Sequence, residues 1–187
     1  REFPELADWW GKHGFGRLRE NASGIVLGRD LPVAVTVPTP GAMHALGVEL
    51  AGLLRAGDVI IATGELGAGK TTLARGIGEG LGVEGPVISP TFVLSRIHPS
   101  RGGGPDLVHV DAYRMAGAEE LADIDLDATL PGSVTLVEWG EGIAEWLSDE
   151  RLEIDIDREI GDEARRVTLT GTGPRWAGAL EALRRNP

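Results

Sequence analysis

Cysteine is missing altogether from the 187-residue sequence, which excludes disulfides and thiolate metal sites and suits a reducing cytosol. The expected location is therefore cytoplasmic. Long apolar runs are missing too. Stretches such as Asp58-Val-Ile-Ile-Ala62 fall far short of the roughly 20 residues that span a bilayer, and no charged-then-apolar leader opens the chain. The expectation is a chain that neither spans a membrane nor is visibly secreted, with no membrane partner. Positive charge is scarce: 29 Asp and Glu stand against 18 Lys and Arg, a formal net charge of −11. Affinity for nucleic-acid phosphates comes from clustered Lys and Arg, so any contact with RNA is expected through a partner. Lysine is the scarcest base, with only Lys12 and Lys70, so the place of each one carries information.

What is present is ordinary for a globular chain: 42% apolar and 25% charged residues suffice for a proper core. At about 100–200 residues per domain, the length fits one domain with a small appendage and excludes a second full enzyme domain. The first residue is Arg1 rather than Met, so a processed, trimmed or excised chain is expected. Residues 1–30 differ in character from the rest. Residues 6–10 read as a short helix, 11–16 as a turn and 23–28 as a strand. This order, with Lys12-His-Gly-Phe15 in the middle, resembles the last elements of GNAT-type acetyltransferases. The segment therefore reads either as the tail of a fused upstream domain or as a plain extension, with Trp9 and Trp10 packed on the main domain.

Residues 31–187 read as one α/β domain. Residues 33–37 alternate as a strand, 42–54 carry apolar residues at helical spacing, and 59–62 form an unbroken apolar strand of the kind buried in a parallel sheet. A glycine loop and a helix over 70–81 follow, with alternating glycines from Gly76 to Gly82 that mark close packing and a helix end. Residues 87–96 read as irregular then extended, and 99–105 as a surface loop too rich in glycine to be rigid. Strands are expected at 107–111 and 134–138, with an acidic helix over 118–130 between them. Residues 152–157 and 166–170 alternate as an antiparallel hairpin at the sheet edge, and Trp176, Leu180 and Leu183 stripe a last short helix. The fold class is a P-loop NTPase-like three-layer sandwich, a mixed, mostly parallel sheet with an antiparallel C-terminal hairpin.

Gly64-Glu-Leu-Gly-Ala-Gly-Lys-Thr71 matches G-x-x-x-x-G-K-[ST] between a buried strand and a helix, the context that this motif requires. Its glycines permit positive φ and close backbone approach. The N–H groups of Glu65, Leu66, Gly67, Ala68 and Gly69 can then turn inward as an anion nest at the positive end of the helix. Lys70, read as an exposed loop lysine, reaches the β and γ phosphates. Thr71 is placed to ligate Mg2+, and Thr72 to help with the α phosphate.

Two strands end in carboxylates, Asp111 and Glu138, and the carboxyl ends of parallel strands face the ligand crevice. Such a site needs one acid to support Mg2+ and a second group to orient water; spacing leaves open which does which. His109 shares a strand face with Asp111 and reads as a core or supporting group. Ser89-Pro-Thr-Phe92 lies where phosphate-loop proteins place a segment that senses the γ phosphate, with Thr91 as the candidate.

Taken together, the phosphate loop, Ser89-Pro-Thr-Phe92, His109-Val-Asp-Ala-Tyr-Arg114 and Val137-Glu-Trp139, in this order, resemble the TsaE (YjeE) family over about residues 33–167. The resemblance implies an ATPase that works with TsaB and TsaD subunits, the latter transferring threonylcarbamoyl to adenosine 37 of tRNA. Contact with tRNA would be indirect. It implies Lys70 on the phosphates, Thr71 and Glu138 around Mg2+, and Thr91 and Asp111 in the switch and hydrolysis region. It also implies Trp139 beside the nucleotide, with Thr39 and Arg165 as further contacts. The chain departs from the family at Met43, often Thr, and at Gly140, often Pro. The alternatives are a small-molecule kinase on the same architecture, or a nucleotide-dependent binding module with little hydrolysis.

Overall fold

The computed structural model describes residues 9–10, 15–21, 24–28, 30–158 and 164–184. Two strands, β1 (Gly16–Asn21) and β2 (Gly24–Gly28), pair antiparallel as a sheet of their own. The second matches the strand expected there; the first was not foreseen. Of the expected helix over 6–10, Trp9 and Trp10 are helical and the rest lies outside the described residues, as does most of the turn over 11–16. Trp10 meets Trp9 and Phe15 edge-on, with ring centroids 4.9 Å apart in both pairs, and Trp9 keeps about half of its surface (49%) in solvent. Among the described residues, the two tryptophan rings and Phe15 thus form an aromatic cluster within this segment.

The main sheet has seven strands: β3 (Val33–Val37), β4 (Val59–Gly64), β5 (Ser95–His98), β6 (Asp106–Asp111), β7 (Ser133–Glu138), β8 (Arg151–Arg158) and β9 (Arg165–Thr172). Their spatial order is β3-β9-β8-β4-β7-β6-β5. β4 is central and parallel to both neighbours, β7 and β8, which is why its first four residues are buried on both faces. β8 and β9 form the expected antiparallel hairpin. The hairpin is not at the edge, however: β8 inserts beside the loop-bearing strand, β3 pairs antiparallel with β9, and the edges are β3 and β5.

Helix α1 (Pro40–Ala51) begins with Pro40 at its first turn and is capped by Thr39, whose Oγ1 accepts from the Ala42 N–H at 3.1 Å. Helix α2 (Lys70–Leu81) follows the loop. The two helices touch through glycines: a Cβ on Gly76 would collide with the His44 carbonyl, and one on Gly80 with the Ala51 side chain. Together they cover one sheet face, over a core that includes Leu46, Leu50, Leu73, Ile77, Ile60, Ile154 and Leu169. On the other face Val59, Ile61, Val108 and Val137 meet Leu121, Leu126 and Ala144, completing three layers.

The expected helix over 118–130 breaks into α3 (Ala118–Ala122) and two 3-10 turns, Leu126–Ala128 and Leu130–Gly132, with Asp125 at φ 54° between them. Leu121 and Leu126 both enter the core. Residues five apart point roughly 140° from one another on a continuous α-helix, so only a break lets both face inward. The expected C-terminal helix is likewise two 3-10 turns, Pro174–Trp176 and Glu181–Leu183, that still bury Trp176, Leu180 and Leu183. The glycine loop over 99–105 is tied at its start. Glu84 donates to the Pro99 carbonyl at 2.8 Å, Arg101 to the Gly82 carbonyl at 3.1 Å, and Ser100 N–H to Asp106 at 2.7 Å.

One ion pair holds the far end of the sheet. The Arg175 guanidinium grips Asp58 at 2.8 and 2.6 Å and the Leu53 carbonyl at 2.6 Å, and Asp58 also accepts from the Arg55 N–H at 2.9 Å. Both side chains are at least nine-tenths buried. Removing one partner strands the other charge in a low-dielectric site. Arg175→Met is therefore expected to lower the unfolding free energy by about 3 kcal/mol, measured by urea denaturation. A midpoint unchanged within error would show that Asp58 is satisfied without its partner.

Candidate functional site

β4 delivers the chain to Gly64 at φ 140°, where a Cβ would stand 2.5 Å from the Ile156 carbonyl, so only glycine fits. Gly67 at φ 78° and Gly69 at φ 119° then turn the loop into α2. Lys70 is the first helical residue and, against expectation, is buried (5% exposed). Its Nζ donates to the Gly64 carbonyl at 2.5 Å and the Glu65 carbonyl at 3.0 Å, and lies 3.7 Å from the centre of the Trp139 ring. Burial holds the ammonium below the ordinary lysine pKa, opposed by the charges of Glu138 and Asp111.

Trp139 reaches this position through a left-handed backbone, φ 61°, and its N–H donates to the Ala62 carbonyl at 3.0 Å. Positive φ is costly for a bulky residue and is the kind of strain that gathers at functional sites. It turns the indole over Lys70 and against Tyr113, with centroids 5.0 Å apart.

The β6–β7 register sets Asp111 opposite Glu138, so both acids emerge at the same end of the sheet. Their partners differ. Thr71 Oγ1 donates to Glu138, with contacts of 2.9 Å to Oε1 and 3.2 Å to Oε2. His109 Nε2 lies 2.8 Å from the same Oε1. Asp111 Oδ2 instead accepts from the Ser89 hydroxyl at 3.0 Å and from the Thr91 hydroxyl, the two hydroxyls being 2.6 Å apart. Its Oδ1 accepts from the Tyr113 N–H at 3.0 Å. The alternatives that spacing left open therefore part company: one acid faces the helix threonine, the other the Ser-Pro-Thr segment.

A cavity of about 260 Å³ joins these groups, lined by Leu66, Gly67, Gly69, Lys70, Thr71 and Thr72 from the loop and helix and by Thr91, Asp111, Glu138 and Trp139 opposite. A second one of about 90 Å³ shares Gly67, Gly69 and Thr72 and gathers Thr39, Met43, Ala68 and Arg165. Thr39 and Arg165, widely separated in sequence, thus meet beside the loop. Glu65 contributes its carbonyl to Lys70 and borders a neighbouring cleft with Trp139. Every residue expected at the site therefore lies on it or beside it. Sequence reasoning carried Ser89 and Tyr113 only inside longer motifs and gave neither a role of its own. The first had a usable signal, a hydroxyl two residues before Thr91; the second is the single tyrosine of the chain, two residues after Asp111. Among the described residues no helix is long and apolar enough to cross a membrane.

The profile of the family described as "Threonylcarbamoyl adenosine biosynthesis protein TsaE" matches residues 37–167. The tRNA threonylcarbamoyladenosine biosynthesis protein TsaE of Streptomyces coelicolor is 61% identical over 141 residues, covering 73% of this chain and 95% of that protein. The Bacillus subtilis protein of the same name is 41% identical over 148 residues, 79% of this chain and 90% of its own. A crystal structure of Bacillus subtilis YdiB superposes with a TM-score of 0.67 at 36% identity, covering 82% of this chain and 94% of that one. With the family profile matched across the phosphate loop, both acidic strands and most of the closing hairpin, the chain belongs to the TsaE family.

Proposed function

We propose that residues 31–187 form a Mg2+-dependent ATPase acting in tRNA threonylcarbamoyladenosine biosynthesis, as a subunit that works with TsaB and TsaD on the transfer to adenosine 37. Residues 1–30 are an appendage to it, and the reaction is cytoplasmic. The pathway is the one for which the Streptomyces coelicolor and Bacillus subtilis relatives are named. The observation that carries the hydrolytic part is the pair formed by Thr71 and Glu138, 2.9 Å apart beside Lys70 in one cleft, with Asp111 beside Glu138 on the neighbouring strand.

The loop N–H groups and the start of α2 bind the phosphates, and Lys70 exchanges the Gly64 and Glu65 carbonyls for β and γ oxygens. Glu138 and Asp111 help to keep it charged there. The Thr71 hydroxyl and the Glu138 carboxylate are hard oxygen donors and fit Mg2+. Among the described residues no cluster of three or more acidic or histidine side chains is placed to cage a metal, which suits an ion held partly by phosphate. When bound, that ion supplies charge neutralisation at the phosphates. Asp111, already accepting from Ser89 and Thr91, orients a water for in-line attack on the γ phosphorus. The bond to the β-phosphate oxygen breaks, leaving ADP, inorganic phosphate and a proton. Thr39, Met43 and Arg165 flank the nucleoside side, and Trp139 closes the cleft above Lys70.

Leu66 lines the cleft and Phe92 directly follows the lining residue Thr91; each is more than four-fifths exposed, apolar surface that a docked subunit would cover. The kinase alternative needs an arginine-bearing lid, and the one arginine of the 99–105 loop, Arg101, sits in the segment tied to the end of α2. Steady-state phosphate release is expected to be weak for the chain alone and clearly stimulated by TsaB with TsaD, with little tRNA bound by the chain alone at about 0.15 M salt. Full activity without partners, or tight tRNA binding alone, would favour a self-sufficient enzyme.

A further inference from the structure

We infer that His109 is the positioning residue of the cation site: it fixes the Glu138 carboxylate in the orientation that serves Thr71 and Mg2+. The inference rests on the nucleotide-binding reading above. The His109 side chain is fully buried and that of Glu138 is 4% exposed, so the 2.8 Å contact between them is shielded from water. Glu138 Oε1 is an acceptor, so His109 Nε2 donates. The terminal torsion of glutamate is broad and two-fold, and rotamer preference leaves it soft. Thr71 holds the carboxylate from one side only, from a helix whose hydroxyl also faces the cation. His109 holds it from within the sheet: it lies opposite Leu136, two residues below the level where Asp111 faces Glu138. With His109 and Thr71 both on Oε1, Oε2 is left with only the longer 3.2 Å contact. Nδ1 is buried without a protein partner, so the hydrogen bond that the ring makes to protein is the one from Nε2 to Glu138. The polar work of this ring is therefore done at Glu138.

The test measures binding of a fluorescent ATP analogue by the full chain as Mg2+ is titrated, alongside binding in excess EDTA and thermal melting. His109→Leu and His109→Asn remove the donor at the Nε2 position, one apolar, the other polar but too short to reach. Each is expected to raise the Mg2+ needed for half-maximal binding about 10-fold, with EDTA binding unchanged. His109→Gln carries an amide N–H about as far out as Nε2 and is expected to return the requirement to within about threefold of the parent. If His109→Leu fails to fold, His109→Asn against His109→Gln carries the same comparison. A folded Leu or Asn variant with the parent's requirement overturns the inference, as does a Gln variant as impaired as Asn. A parent chain whose nucleotide binding ignores Mg2+ overturns the ATPase reading and this inference together.

Discussion

Lys70→Ala is expected to lower the ATPase turnover of the partner-stimulated chain by about 10²–10³-fold, the usual cost of losing one preorganised charge from a site where negative charge develops. ATP affinity, by isothermal titration, falls as well, because the ammonium touches the phosphates in the ground state. The side chain is buried between two backbone carbonyls and the Trp139 ring, so the substitution also loosens the loop locally. Lys70 belongs to neither core cluster, although the Trp139 ring that it touches packs against the second. The melting transition should therefore remain cooperative, with a stability change of about 1 kcal/mol from the lost hydrogen bonds. Unchanged ATP affinity in a folded variant would sink the assignment of the loop.

Asp111→Asn should reduce turnover about 100-fold while leaving the Mg2+ requirement alone, within the range found for groups that position or accept a transferred proton. Asn keeps the volume, and the Ser89 and Thr91 hydroxyls can rotate to meet its amide, so the segment stays in place. What is lost is the negative charge beside the attacking water. Glu138→Gln makes the opposite change. It removes the charge paired with Thr71 and should raise the Mg2+ needed for half-maximal phosphate release at least about 10-fold, with turnover recovering at saturating metal. Metal titrations of phosphate release on both variants separate the two roles. Identical Mg2+ curves would mean that the acids are misassigned.

The parts of this site that could be read from the chain are those whose chemistry is local. The turn from β4 into α2 needs glycine at Gly64, Gly67 and Gly69 and a lysine immediately after, and one octapeptide contains all of it. The helix accordingly starts at the expected Lys70 and ends at Leu81. Asp111 and Glu138 could be recognised as candidates because an acid at the carboxyl end of an apolar strand is visible by alternation and position alone. The family resemblance added Thr39 and Arg165, and the fold brings them to one cavity.

Alternation and spacing cannot say which acid meets which hydroxyl, because Thr71 and Glu138 are 67 residues apart and Thr91 and Asp111 are 20 apart. Those pairings follow from strand order and register, which are properties of the assembled sheet. The same is true of β8 lying parallel beside β4, of the Asp58–Arg175 pair across 117 residues, and of the helix over 118–130 that breaks so that Leu121 and Leu126 can share one core. Local propensity specifies where the chain turns and which residues seek burial. Long-range packing chooses among the ways of burying them, and it is this choice that sets His109 and Thr71 on one carboxylate and leaves Asp111 to Ser89 and Thr91.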